Sequence, residues 1–137
     1  MKLSALKVNS ARADAGAWVG DIPQMPGVRF KVRGFNNADD KKIVTREMDK
    51  IPARRRKRGK VSDDEQKLIM NCRIRECLLT DWEGLIGDDD TPIAFGPEIL
   101  ETVLTDPDYE KLRDAIIWCI SIVAEDDDEA NEGDAKN

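Results

Sequence analysis

The chain contains no histidine. That removes the usual general base, the commonest metal ligand and the ordinary serine- and cysteine-based triads. No glycine-rich phosphate loop is present either, because Gly59-Lys60 stands without the upstream glycine spacing of a nucleotide cradle. The longest unbroken apolar run, Ala115 to Ile120, is far too short to span a bilayer, so no membrane role is expected. The opening stretch, MKLSALKVNSARADAG, lacks an apolar core followed by a small-residue cleavage site, which argues against secretion. Cys72, Cys77 and Cys119 form no C-x-x-C pair and suit a reducing cytoplasm as small apolar packing groups. The expectation is a protein that is not an enzyme and has no catalytic, cofactor-binding or metal-binding residues.

What is present fits one soluble domain. The 137 residues are 40% apolar and 36% charged. The net charge of −6 hides a polarity along the chain. Residues 1–60 hold 16 Lys+Arg against 6 Asp+Glu, a balance of +10, whereas residues 61–124 hold 5 against 15, a balance of −10. Such polarity favours head-to-tail or reciprocal contacts between copies.

The expected fold class is α+β: an N-terminal β-hairpin packed against a small bundle of about four helices. One domain covers 1–124, with a loose arm at 1–16 and a basic linker at 53–60 inside it. In VRFKVRGF (28–35), Val28, Phe30 and Val32 alternate with Arg29, Lys31 and Arg33, the period of a half-buried strand. AWVGDI (17–22) pairs with it across Pro26-Gly27, although LSALKV near the start leaves a third strand open. Asn37 caps a helix with Val44, Met48 and Ile51 on one stripe, ended by Pro52. SDDE (62–65) is a capping box, and behind it Leu68, Ile69, Cys72, Leu79 and Trp82 mark a helix face to about Thr80. Pro97 opens a short helix. Asp106-Pro107 starts the last one, with Tyr109, Leu112, Ile116, Cys119 and Val123 aligned. From Ala115 to Ala124 that helix is apolar all round, so it is central to the core or meets another chain. Residues 125–137 read as a disordered acidic tail.

Three features invite chemistry. Asp88, Asp89 and Asp90 are consecutive, whereas a calcium loop alternates its ligands and ends on a distal glutamate, so a solvated loop is the better reading. Arg54, Arg55, Arg56, Lys57, Arg58 and Lys60 could neutralise phosphates, but they lack interleaved aromatics and sit in an acidic chain. A linker, or a dock for acidic protein surface, is favoured over nucleic acid. Trp18 and Trp82 read as core. Trp118, off the main stripe with Ile117 and Ile122, reads equally as core or interface.

The ordered set GAWVGDIPQMPGVRFKVRGFNN, an amphipathic helix, a basic linker, LLTDWEGL, an acidic loop, TPIAFGPE and ILETVLTDPDY resembles the tail assembly chaperones of long-tailed bacteriophages over about residues 15–124. The chain departs from the family pattern at Thr91, where a glycine is usual, and at Gly96, where serine or threonine is common. The resemblance implies a non-enzymatic holdase for the tape-measure protein that assists tail-tube assembly and self-associates. It would act in the host bacterial cytoplasm, possess the tail-tube protein as a further partner, and be absent from the mature virion. A frameshifted longer product is common in such families. Ile116, Ile117, Trp118, Ile120 and Ile122 are the expected contact set for client or self-association. Two other classes compete: a structural head–tail or tail-completion subunit, and a nucleic-acid-binding regulator using residues 54–60.

Overall fold

The computed structural model describes residues 1–7 and 10–136, with side chains described to Val123. In chain order it runs through a 3-10 turn (Leu3–Leu6), α1 (Ser10–Ala15), β1 (Ala17–Val19), β2 (Arg29–Val32), α2 (Ala38–Met48), α3 (Ala53–Lys57) and α4 (Asp63–Arg73). A π-helical turn (Ile74–Leu78), β3 (Leu79–Glu83), α5 (Pro97–Thr105), a 3-10 turn (Pro107–Tyr109) and α6 (Glu110–Lys136) follow. This is an α+β fold. The acidic residues 125–137, expected to be disordered, lie outside the described side chains.

The hairpin forms as the alternation predicts. β1 and β2 are antiparallel with Trp18 opposite Lys31, and Phe30 and Val32 are fully buried while Arg29 and Lys31 face outward. A third strand completes the sheet, but it comes from residues 79–83 and not from LSALKV, whose first four residues make a 3-10 turn. The helix expected to about Thr80 runs as α4 to Arg73 and continues through the π turn to Leu78, where β3 takes over. A β-bulge follows: Lys31 pairs with Asp81 but Val32 pairs with Leu79, leaving Thr80 as an extra residue on β3. The bulge resets the parity of the strand, so Leu79 and Trp82 both point inward although they are three residues apart. A spacing of three imitates a helix face. Leu68, read as part of that face, is instead 64% exposed, and the buried positions of α4 and its π turn are Asn71, Ile74, Cys77 and Leu78.

Two other expectations change. Residues 10–15 of the supposed loose arm form α1, which buries Ala13 and accepts a hydrogen bond from the Gly34 amide at the Ala13 carbonyl (2.9 Å). Residues 53–57 of the supposed linker form α3, whose Arg55 pairs with Glu65 and whose Arg56 donates to the Ile51 carbonyl (2.9 Å).

Side chains of the sheet, the π turn, α5 and α6 make one core, with Phe30, Ile74, Leu78, Leu104, Ile116 and Ile120 wholly inside. Trp82 closes its edge, ring edge against ring face with both Phe30 and Phe95 (centroids 6.4 and 5.1 Å apart). The turn after β3 needs Gly84. Its φ is +88°, and a Cβ there would sit 2.0 Å from the Gly27 carbonyl oxygen, so the D-W-E-G stretch passes against the hairpin backbone without room for a side chain.

The helices are fastened through buried polar groups. Asn37 caps α2 by accepting from the Asp40 amide (2.9 Å) while donating to the Gly34 carbonyl (3.0 Å). Asp40 itself is 0% exposed and takes a two-pronged bond from Arg73 of α4, Nε to Oδ1 and Nη2 to Oδ2, both 2.7 Å. The Asn36 amide adds a third donor to Asp40 (2.8 Å), and Phe35 stacks against the guanidinium at 4.9 Å. On the other side of α4, Asn71 donates to the Leu104 carbonyl of α5 (3.2 Å) and accepts from Arg113 of α6 (2.9 Å). Among the described residues no buried side-chain nitrogen or oxygen lacks a partner. Arg73→Met leaves Asp40 buried without its counter-charge and is expected to cost about 3–5 kcal/mol in urea unfolding, with Asp40→Asn in the same chain restoring part of it. A loss under about 1 kcal/mol would place the pair among surface-like interactions.

Candidate partner-binding surface

The proposed contact helix is split by the fold. Ile116 and Ile120 are fully buried and serve the core, so they are withdrawn from the expected contact set; Ile117 and Ile122 are half-buried. Trp118 is 40% exposed. It forms one wall of an open groove of about 530 Å³ whose other wall is the long hairpin connection, with Ile22, Pro23 and Met25 facing Lys111, Ala115 and Trp118. The connection is held by its own backbone: the Met25 amide donates to the Ile22 carbonyl (3.1 Å) and the Val28 amide to the Met25 carbonyl (3.3 Å). Asp21 and Gln24 adopt positive φ of 51° and 65° to make the bend. An exposed indole beside a flexible thioether is a surface that accepts apolar helix faces of varied shape.

Met25 and Pro23 escaped the sequence reading, which treated PQMPG as turn chemistry alone. The available signal was a methionine between two prolines, in a connection longer than a tight hairpin needs. Trp18, read as core, is only half-buried, with the Arg29 guanidinium 5.0 Å above its ring. Trp82 is buried, and its indole nitrogen donates to the Ile93 carbonyl (2.8 Å).

The aspartate loop closes on itself. The Gly87 amide donates to the Thr91 carbonyl (2.8 Å), the Asp90 amide to the Gly87 carbonyl (3.0 Å), and Ile86 bridges Pro92. Thr91 donates its hydroxyl (2.6 Å) and amide (3.2 Å) to one oxygen of Asp89, which holds that carboxylate below its usual range. Thr91, where the tail-chaperone pattern has glycine, thus serves as the loop's internal partner. Among the described residues no group of His, Cys, Asp and Glu could hold a metal ion. Asp88–Asp90 are exposed, and the stretch is a handover from β3 toward α5.

The basic run is divided. Arg55 and Arg56 are engaged by Glu65, Asp49 and the Ile51 carbonyl, while Arg54, Lys57, Arg58 and Lys60 are exposed. Nearby, the face of α2 toward α4 is a carboxylate–cation cluster: Glu47 takes Lys50 (2.7 Å) and Arg46 (2.8 Å), and Arg46 continues to Glu76. The cysteines are free thiols. Burial pushes Cys119 up to about 11, and burial together with neighbouring Glu47 raises Cys72, so neither is a ready thiolate at neutral pH.

Residues 35–137 match the family described as YdaY prophage protein, and the chain belongs to that family. It is therefore a phage-derived protein. No curated protein and no solved structure matches it. Among the described residues no helix is long and apolar enough to cross a membrane.

Hydrogen bonds from Lys50 and Arg46 lower the Glu47 carboxyl to about 2 from an ordinary value of 4.5. A depressed folded value means that the unfolded chain binds the proton first, so this contribution is complete above about pH 4.5 and is lost as pH falls toward 2. Glu47→Gln is expected to flatten that limb of a stability–pH profile measured by urea midpoints, and an unchanged slope would remove Glu47 from the account.

Proposed function

We propose that this prophage protein is a non-enzymatic tail assembly chaperone. It binds the tape-measure protein and assists tail-tube assembly in the host cytoplasm, without remaining in the mature virion. The observation that carries the reading is the Trp118 groove: an exposed indole and a methionine, walled by a hydrogen-bonded turn, on a scaffold whose own core is closed. A long helical client supplies amphipathic turns that such a groove accepts one at a time. Many weak contacts then act together along one chain through effective concentration. Prophage family membership and the DWEGL-to-TPIAFGPE order support the same assignment.

The four exposed cations at 54–60 offer an acidic-partner dock, and they do not require nucleic acid. The structural-subunit reading predicts the protein in purified particles, where mass spectrometry would find it at stoichiometric levels. Trp118→Glu replaces a half-exposed side chain, so the fold should lose no more than about 1 kcal/mol. Affinity for the tape-measure protein of the same prophage, read by co-purification and titration calorimetry, should fall about 30-fold or more. Full binding by a folded Trp118→Glu chain would contradict the assignment of this groove.

A further inference from the structure

A second, mainly apolar groove of about 340 Å³ lies between the loop after β3, α5 and the start of α6, and shares no lining residue with the first. Trp82, Leu85, Ile86, Ile93, Tyr109 and Leu112 line it, and Ile86 and Tyr109 remain 59% and 42% exposed. Acidic residues neighbour its lining in the chain. Asp88 lines the groove, and the exposed Asp89, Asp90, Asp108 and Glu110 adjoin the lining residues in sequence.

The molecule also carries the complement of that groove. Met1, Leu3 and Leu6 are 103%, 82% and 64% exposed, so this segment's apolar side chains find no cover on their own protomer. The Leu3–Leu6 turn is preformed, with the Ala5 amide donating to the Lys2 carbonyl (3.1 Å) and the Lys7 amide to the Ser4 carbonyl (3.2 Å). Residues three apart eclipse in a 3-10 turn, which puts Leu3 and Leu6 on one edge. Exposed Lys2 and Lys7 flank them. A short apolar edge bracketed by two cations matches an apolar slot bordered by carboxylates, in chemistry and in sign.

We propose that the Met1–Lys7 segment of one copy docks in the Trp82–Tyr109 groove of another. Leu3 and Leu6 enter the slot, and Lys2 and Lys7 meet the carboxylates around Asp88. The donor and acceptor surfaces differ, so the contact is heterologous: each copy keeps one free segment and one free groove, and association propagates into chains or closes into rings. The opposite charge balances of residues 1–60 and 61–124 favour the same head-to-tail order. The contact stands whether or not the Trp118 groove takes a tape-measure protein.

The test uses the full chain in sedimentation velocity and equilibrium at low and high salt. The unaltered protein should associate with rising concentration, more weakly in salt. Leu3→Asp with Leu6→Asp on the segment, and Ile86→Asp in the groove, should each weaken association roughly 30-fold or more while circular dichroism stays unchanged. Mixed in equal amounts, those two variants still hold one intact segment and one intact groove between them, and should form one-to-one dimers that grow no further. Lys2→Glu with Lys7→Glu, at fully exposed positions, gives the same reading by charge alone and covers the case in which Ile86→Asp unfolds. A strictly monomeric protein, or association that ignores the segment and groove variants alike, would overturn the proposal. Trp118→Glu should leave this self-association intact, which separates its failure from failure of the client-binding assignment.

Discussion

The buried pair of Asp40 and Arg73 is the constraint from which the arrangement of helices follows. A carboxylate with no exposed surface is tolerable only with its charge matched and its lone pairs filled. Asp40 meets that condition by drawing in two guanidinium nitrogens and the Asn36 amide at once. Those donors come from different places: α4 on one side and the β2–α2 connection on the other. Asn37, which caps α2 and holds the Gly34 carbonyl, sets the helix start in the same cluster. Two residues earlier on α4, Asn71 fixes α5 and α6 through Leu104 and Arg113. One short helix thereby fastens α2, α5 and α6 through directional bonds, and the apolar packing of Phe30, Ile74, Leu104 and Ile116 fills the space so defined.

Local signals in the sequence carried much of this. The 28–35 alternation, the Asn37 cap, the SDDE capping box and the proline at the start of α5 each encode a structure within a few residues, and each forms. Long-range devices did not show themselves. Nothing in RECLLTDWE announces that the strand it forms carries a bulge at Thr80, so Leu79 and Trp82 at a spacing of three read as helix. Arg73 and Asn71 carry no local signal of their role, because their partners, Asp40 and Arg113, lie 33 and 42 residues away. The same limit divided the candidate site. Composition marked IIWCISIV as unusual, yet which of its faces would be taken by the sheet depends on the crossing of α6 over β2, which periodicity alone does not give. The fold consumed Ile116 and Ile120 and left Trp118.

Among the described residues the buried side-chain polar atoms all have partners, and Asp89 of the acidic loop is bonded within that loop. Two grooves with mainly apolar linings lie at the surface, one walled by Trp118 and one by Trp82 and Tyr109, and Arg54, Lys57, Arg58 and Lys60 of α3 and the loop after it are exposed. Membership of a prophage family gives the chain a phage origin, and the mainly apolar linings of the two grooves suit an amphipathic helix.

Hydrogen–deuterium exchange on the protein alone and with the tape-measure protein of its prophage tests the central claim most directly. The account predicts new protection confined to residues 20–28 and 111–121, with α2 and α4 equally protected in both states. Protection that appears instead across residues 54–60 or 87–91, or an α4 that exchanges as fast as the surface loops before any partner is added, would contradict it.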